Sequence, residues 1–210
     1  MKKRWQQEEN NRIKINVDGA FLPILTQRGL GGVVRGSQGQ FIAAFAHSIQ
    51  HVCFTKHVEL LAIREGIDLA QQMQMSQVSI ESNYLAAVQT IAHSDSSFSD
   101  FGNISDDIQE DLRGPQGVQI NFAPRTYNQV AHRLENIGFE SGQNEAWFIQ
   151  APSCISDLPQ HDWALDVTRI IGLGVGLYNI VVTSSHIFYM LKGWRNSQDI
   201  FSSQYGSYSS

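Results

Sequence analysis

Apolar and polar residues alternate from Ile13 to Ala20, the two-residue period of a strand that buries one face. Gly31-Gly32-Val33-Val34-Arg35 and Gln40-Phe41-Ile42-Ala43-Ala44-Phe45-Ala46 are also strand-like, and they flank Gly36-Ser37-Gln38-Gly39, a hairpin turn in composition. A three-stranded antiparallel meander is predicted. From Thr55 to Met73 the period lengthens: Val58, Leu61, Ala62 and Leu69, with Leu60, Ile63, Ile67 and Ala70, make the broad apolar face of a helix, and Thr55 is its expected cap. Gln77 to Glu81 reads as a short strand, and a helix follows from Ser82 or Asn83 through Ile91. Residues 100–113 form an amphipathic segment carrying Phe101, Ile104, Ile108 and Leu112. A last strand, Val118 to Phe122, leads through Ala123-Pro124-Arg125 into a helix of Val130, Leu134 and Ile137. The order βββ, α, β, α, α, β, α implies an α/β fold, a mixed sheet with helices on its faces.

Composition narrows the partners more than the fold. With 210 residues and 42% hydrophobic content, the chain can bury one good core with appendages, so one domain is expected. A formal charge of −5 argues against gripping phosphates by bulk electrostatics, so a nucleic-acid partner requires a local basic patch. Arg125 and Arg133, with Lys56 and Arg64, are the candidates. Gly29 to Gly39 is no phosphate loop, because no Gly-Lys-Ser/Thr follows it. Cys53 and Cys154 form no CxxC, which indicates neither a zinc ribbon nor a disulfide framework and makes a reducing compartment the default. The N-terminus has no apolar stretch of the secretory kind, and Lys2-Lys3-Arg4 reads as a solvated start; an intracellular location, nucleus or cytoplasm, is expected.

The candidate chemistry starts from Asp18, at the end of the first strand, and Glu59, inside the apolar helix. Carboxylates gathered from a strand and a helix repel one another, so a fold that brings them together normally holds divalent cations. Glu59 has a second reading, as an acid near a helix N-terminus favoured by the macrodipole. His47, His51 and His57 lie close in sequence without a convincing ligand spacing, and a hairpin edge and loop account for them.

Five blocks carry a family resemblance: Lys14 to Phe21; Gly31 to Arg35 with Gly39-Gln40-Phe41; Glu59-Leu60-Leu61-Ala62-Ile63-Arg64-Glu65-Gly66; Ile80-Glu81-Ser82-Asn83; and Arg125 to Leu134. Together, over roughly residues 12–140, they resemble the ribonuclease H type 1 domain in its plant reverse-transcriptase-associated form. The resemblance implies a mixed five-stranded sheet, three antiparallel strands first and parallel additions after, with helices on both faces. It also implies Mg²⁺-dependent hydrolysis of the RNA strand of an RNA–DNA hybrid at a two-metal site. Asp18 then matches the first acid, which bridges both metals, and Glu59 the helix acid. Asn83 stands where the third acid, an aspartate, is expected, and His132 takes the fourth position, as is usual in the plant-type group. The expected metal ligands are therefore Asp18, Glu59 and Asn83, with His132 added to them in the catalytic set. Asn128, Arg125 and Arg133 are the expected nucleic-acid contacts. A loop histidine of the family would fall near Phe122 or Ala123, and neither transfers a proton. Asn83 removes one negative charge, so weakened cleavage is expected; Glu81 and Glu135 are candidate substitute acids, though the reading of each as a surface residue is preferred. The alternative is a retroelement-derived protein-interaction module without nuclease activity. A monomer is expected, and a membrane partner is not.

The C-terminal third departs from the blocks. Residues 141–165 read as a short tail with Trp147 and Pro152, and 166–210 as an apolar and then low-complexity extension after an N-terminal extension at 1–11. Ile170 to Leu191 is uncharged and long enough to cross a bilayer, but Asn179, Thr183, Ser184, Ser185 and His186 dilute it. The polar and aromatic residues 201–210 are expected to be disordered.

Overall fold

Strand β1 (Ile13–Phe21) lies in the middle of the sheet, paired antiparallel with β2 (Arg28–Arg35) on one side and parallel with β4 (Val78–Ser82) on the other. The computed structural model describes residues 12–21, 28–50, 52, 54–93 and 102–158, all in the first of two compact units, Met1–Ala164. The extension 1–11, His51, Cys53, the apolar run 170–191 and residues 201–210 lie outside the described residues. Among the described residues no helix is long and apolar enough to cross a membrane.

β3 (Phe41–Ile49) completes the meander, and β5 (Gln119–Phe122) extends the sheet by parallel pairing with β4. The expectation of five strands is one short. Glu145–Phe148 forms β6, antiparallel to β3, and the sheet runs β5-β4-β1-β2-β3-β6. A four-residue edge strand beside a proline-containing stretch carries too little alternation to be seen locally; the free edge of β3 makes it a strand.

Helices cover both faces, and two glycines in β2 show which helix takes which. Ile15 and Val17 point at α1 (Thr55–Gln72), where a Cβ on Gly66 would meet Val17 at 3.0 Å and Ile15 at 3.5 Å. Asp18 and its cross-strand partner Gly31 point the other way, onto α4 (Gln129–Ser141). A Cβ on Gly31 would lie 2.1 Å from the Glu135 amide nitrogen, and one on Gly29 would lie 2.1 Å from the Glu135 carbonyl oxygen. The missing side chains let α4 rest on the sheet backbone. Helices α2 (Leu85–Ala92) and α3 (Gly102–Leu112) complete the set. Thr55 is the first residue of α1 and not its cap: Phe54 is the N-cap, extended and without a side-chain hydrogen bond, and its carbonyl receives the Val58 N–H at 3.2 Å.

Two features of the packing were not expected. Ile155, in a short 3-10 turn (Ser153–Ile155), is fully buried with Val33, Phe41, Ala44, Ala46, Val130 and Leu134, so packing continues well past residue 140. On the α4 side of the sheet, Lys14 Nζ meets Glu81 Oε1 at 2.7 Å, Asn16 Nδ2 donates to Glu81 Oε2 at 2.7 Å, and Arg35 donates to Asn16 Oδ1 at 2.7 Å. All four side chains are buried, and the chain of bonds links them into one polar network inside the sheet face.

Candidate metal-binding site

The site forms where the parallel pairing of β1 with β4 ends. Val17 and Ser82 are their last paired residues, so Asp18 and Asn83 come next, side by side at the carboxyl edge of the sheet. Glu59 approaches from the first turns of α1, where hydrogen bonds from the Gly19 backbone and the Ser82 side chain hold it. Its Oε2 is buried with no hydrogen-bond partner. That arrangement disfavours the reading of Glu59 as a solvated helix-end acid.

α4 brings the remaining groups. His132 and Glu135, one turn apart, face Asp18: His132 Nδ1 lies 2.7 Å from Glu135 Oε2 and 3.1 Å from Asp18 Oδ2. On the far side of the ring, Arg125 Nη2 lies 2.8 Å from His132 Nε2. A guanidinium only donates, so Nε2 accepts, and the proton of the neutral ring is on Nδ1, shared by the two carboxylates. One ligand atom from each of Asp18, His132 and Glu135 falls within 4.8 Å of the others.

Charge is crowded here. Burial raises Asp18 to about 6, against the opposing pull of the Gly19 N–H and Arg125. Burial, and then the charges of Asp18 and Glu135, push Glu59 up to about 9. Burial, and then the charge of Asp18, raise Glu135 to about 8, with Arg125 opposing. Burial and Arg125 both lower His132. Three buried carboxylates whose protons burial helps to hold, one of them with an unpartnered oxygen, fit a hard divalent cation. These residues would hold it.

Residues 16–137, more than half of the chain, match the family model described as reverse transcriptase-like. The chain belongs to the reverse transcriptase-like family. The fold is that of type 1 ribonuclease H. RNase H1 of the halophilic archaeon Halobacterium salinarum superposes with a TM-score of 0.52 at 15% identity, over 62% of this chain and 98% of that one. LC11-RNase H1, isolated from compost and solved with an RNA/DNA hybrid, gives 0.56 at 16% identity, over 62% and 99%. The N-terminal RNase H domain of a Mycobacterium tuberculosis protein gives 0.53 at 18% identity, over 61% and 95%. No curated protein matches.

Within this reverse transcriptase-like domain the expected site residues divide. Asp18, Glu59, Asn83 and His132 all reach one end of the sheet. Asn128 is fully buried: it donates from Nδ2 to the Val17 carbonyl at 2.7 Å and to Asn83 Oδ1 at 3.1 Å, bracing β1 against the end of β4, while its own Oδ1 is buried without a hydrogen-bond partner. Arg133 donates to the Cys154 carbonyl at 3.3 Å and pairs with Asp157, so its charge serves the tail. Arg64 pairs with Asp107 at 3.3 Å. Arg125 is exposed beside the site. Glu81 is neither a surface acid nor a ligand, because Lys14 and Asn16 hold both its oxygens. Phe122 and Ala123 lie at the end of β5 and carry no titratable group. Among the expected histidines, His47 is buried in β3, 3.5 Å from Glu65, and no described His, Cys, Asp or Glu cluster other than Asp18, His132 and Glu135 has ligand geometry. The coupling of Arg125 to His132 had no sequence signal; it depends on the short 3-10 turn Arg125–Tyr127 folding back over α4.

Proposed function

We propose that the domain binds RNA–DNA hybrid and hydrolyses its RNA strand with Mg²⁺, at a rate lowered by Asn83. The observation that carries this is the convergence of Asp18, Glu59 and Glu135, buried carboxylates from a strand and two helices, with Glu59 Oε2 left unpartnered. Such a cluster is stable when a cation neutralises it. Bound cations would activate a water and stabilise the leaving oxygen of an in-line displacement. Asp18 and Glu59 supply the charge that holds them, and His132 positions the Asp18 carboxylate from the solvent side. Arg125, exposed beside the ring, contacts a backbone phosphate. Asn83 keeps the shape of an aspartate and lacks its charge, which costs about 10²-fold or more in rate by analogy with other lost preorganised electrostatic contacts. The ribonuclease H neighbour solved with an RNA/DNA hybrid supports the substrate class. The position of His132 favours a retroelement-derived domain of the plant type.

The test is cleavage of a labelled RNA–DNA hybrid by the full chain in Mg²⁺ and in Mn²⁺, with Asp18→Asn as control. Slow cleavage that the control lacks is the expected result. Hybrid bound no better than duplex DNA, with no cleavage in either metal, would sink the reading.

A further inference from the structure

We infer that Glu135 supplies the carboxylate that Asn83 does not, so that the divalent cation sits among Asp18, Glu59 and Glu135, on the α4 side of the site. The inference rests on the function proposed above and says which side chains hold its cation.

The Asn83 carbonyl oxygen is engaged by Asn128. The Val17 carbonyl can only accept, so the Asn128 group that approaches it at 2.7 Å is the NH₂, and the same NH₂ meets Asn83 at 3.1 Å. The Asn83 atom facing Asn128 is therefore its carbonyl oxygen. That oxygen, the only atom of Asn83 suited to a cation, is already accepting a hydrogen bond, and the rest of the amide presents donors.

Glu135 occupies the opposite situation. Gly31 allows α4 to sit on the sheet backbone, which sets Glu135 beside Asp18. The two carboxylates and His132 offer ligand atoms within 4.8 Å of one another. A second observation points to a ligand there. Glu59 Oε2 is buried, has no hydrogen-bond partner, and is close enough to feel the charges of both Asp18 and Glu135. A buried carboxylate oxygen without a partner is costly unless a cation or donor meets it, and in this reading Glu59 completes the cation's ligands from the α1 side. His132 would then be a positioning residue: its Nδ1 lies between Asp18 and Glu135 and keeps them together. The rival explanation is that Glu135 merely orients His132, and direct measurement of metal binding separates the two.

The experiment is titration of the full chain with Mn²⁺ alone, read by water-proton relaxation, for the natural sequence, Asp18→Asn, Glu135→Gln and the pair Glu135→Gln with Asn83→Asp. The natural sequence is expected to bind, and Asp18→Asn to lose binding. Glu135→Gln is expected to weaken it by more than about 100-fold, beyond the roughly 10- to 100-fold lost with a group that only orients a ligand, and a loss inside that range would overturn the inference in favour of the rival. Adding Asn83→Asp restores a carboxylate on the other side of Asp18 and is expected to recover most of the loss, which a misfolded protein cannot do. Glu135→Gln binding like the natural sequence while Asp18→Asn does not would overturn the inference and leave the proposed function standing. A double variant that melts normally and still fails to bind would also overturn it. Absence of Asp18-dependent binding in the natural sequence would remove both.

Discussion

Arg125 Nη2 stands 2.8 Å from His132 Nε2, so a group that can only donate faces a ring nitrogen that must accept. Burial, and then the guanidinium, keep the imidazole neutral, and the contact aims its remaining proton at Asp18 and Glu135. Arg125→Ala removes a positive charge, which favours the imidazolium, so the His132 pKa should rise; NMR titration of the ring reads this directly. Hybrid binding by the variant should also lose about one unit of its salt slope, as for a lost phosphate contact. An unchanged ring titration would mean the contact does not act on His132.

Stability of the metal-free protein should fall as pH rises. Glu59 shifts from 4.5 to about 9 and therefore binds its proton more tightly folded than unfolded. Its contribution is complete below the unfolded value and is lost as pH climbs through the folded one. Thermal melts in chelator from about pH 5 to about pH 9 test the sign, and Glu59→Gln should flatten the slope. A melting temperature that rises steadily over that window would contradict it.

Asn83→Asp is expected to raise hybrid cleavage by about 10- to 100-fold, because it adds a preorganised charge at the end of β4 where Asn128 can still donate to it. Single-turnover cleavage at saturating protein is the measurement. No gain in a variant that melts normally would show that position 83 does not face the reacting groups.

Gly31→Ala should be severe. Its Cβ would lie 2.1 Å from the Glu135 nitrogen and 2.4 Å from the Ala131 carbonyl, both helix backbone, so α4 would have to move off the sheet. Urea denaturation should show a loss of about 3 kcal/mol or more, at the upper end for overpacking. Gly142, which ends α4 at φ 62° with open space around it, is the contrast: Gly142→Ala pays only the left-handed backbone cost of about 1–2 kcal/mol.

Truncation after residue 140 should abolish cooperative folding, because it removes β6 from the edge of β3 and Ile155 from the core. Ile155→Ala alone should cost about 2–5 kcal/mol, the range for a fully buried large-to-small change. A chain ending at 140 that melts as sharply as the full one would show the tail to be dispensable.

Most of the architecture was legible in single segments. Ile13 to Ala20, the hairpin at Gly36 and the apolar face of α1 declare themselves because a period of two or of 3.6 is a property of one element. Asp18 and Glu59 could be nominated because acids at a strand end and on an apolar helix face are costly without a partner. β6 was missed because an edge strand of four residues is made by its neighbour. Glu81, two residues before Asn83, was open to a metal role until Lys14 and Asn16 were seen to hold it.

The sequence by itself determined the order of elements as far as α4 and the acids at issue, which depend on local periodicity and residue type, while the family came from the resemblance of its motif blocks. Only the tertiary structure decided that Asn128 engages the Asn83 carbonyl, that Gly31 sets Glu135 against Asp18, and that Ile155 closes the core. Each of these relations joins segments far apart in the chain, and which distant side chains share a face is set by sheet register and helix docking, not by the residues on either side.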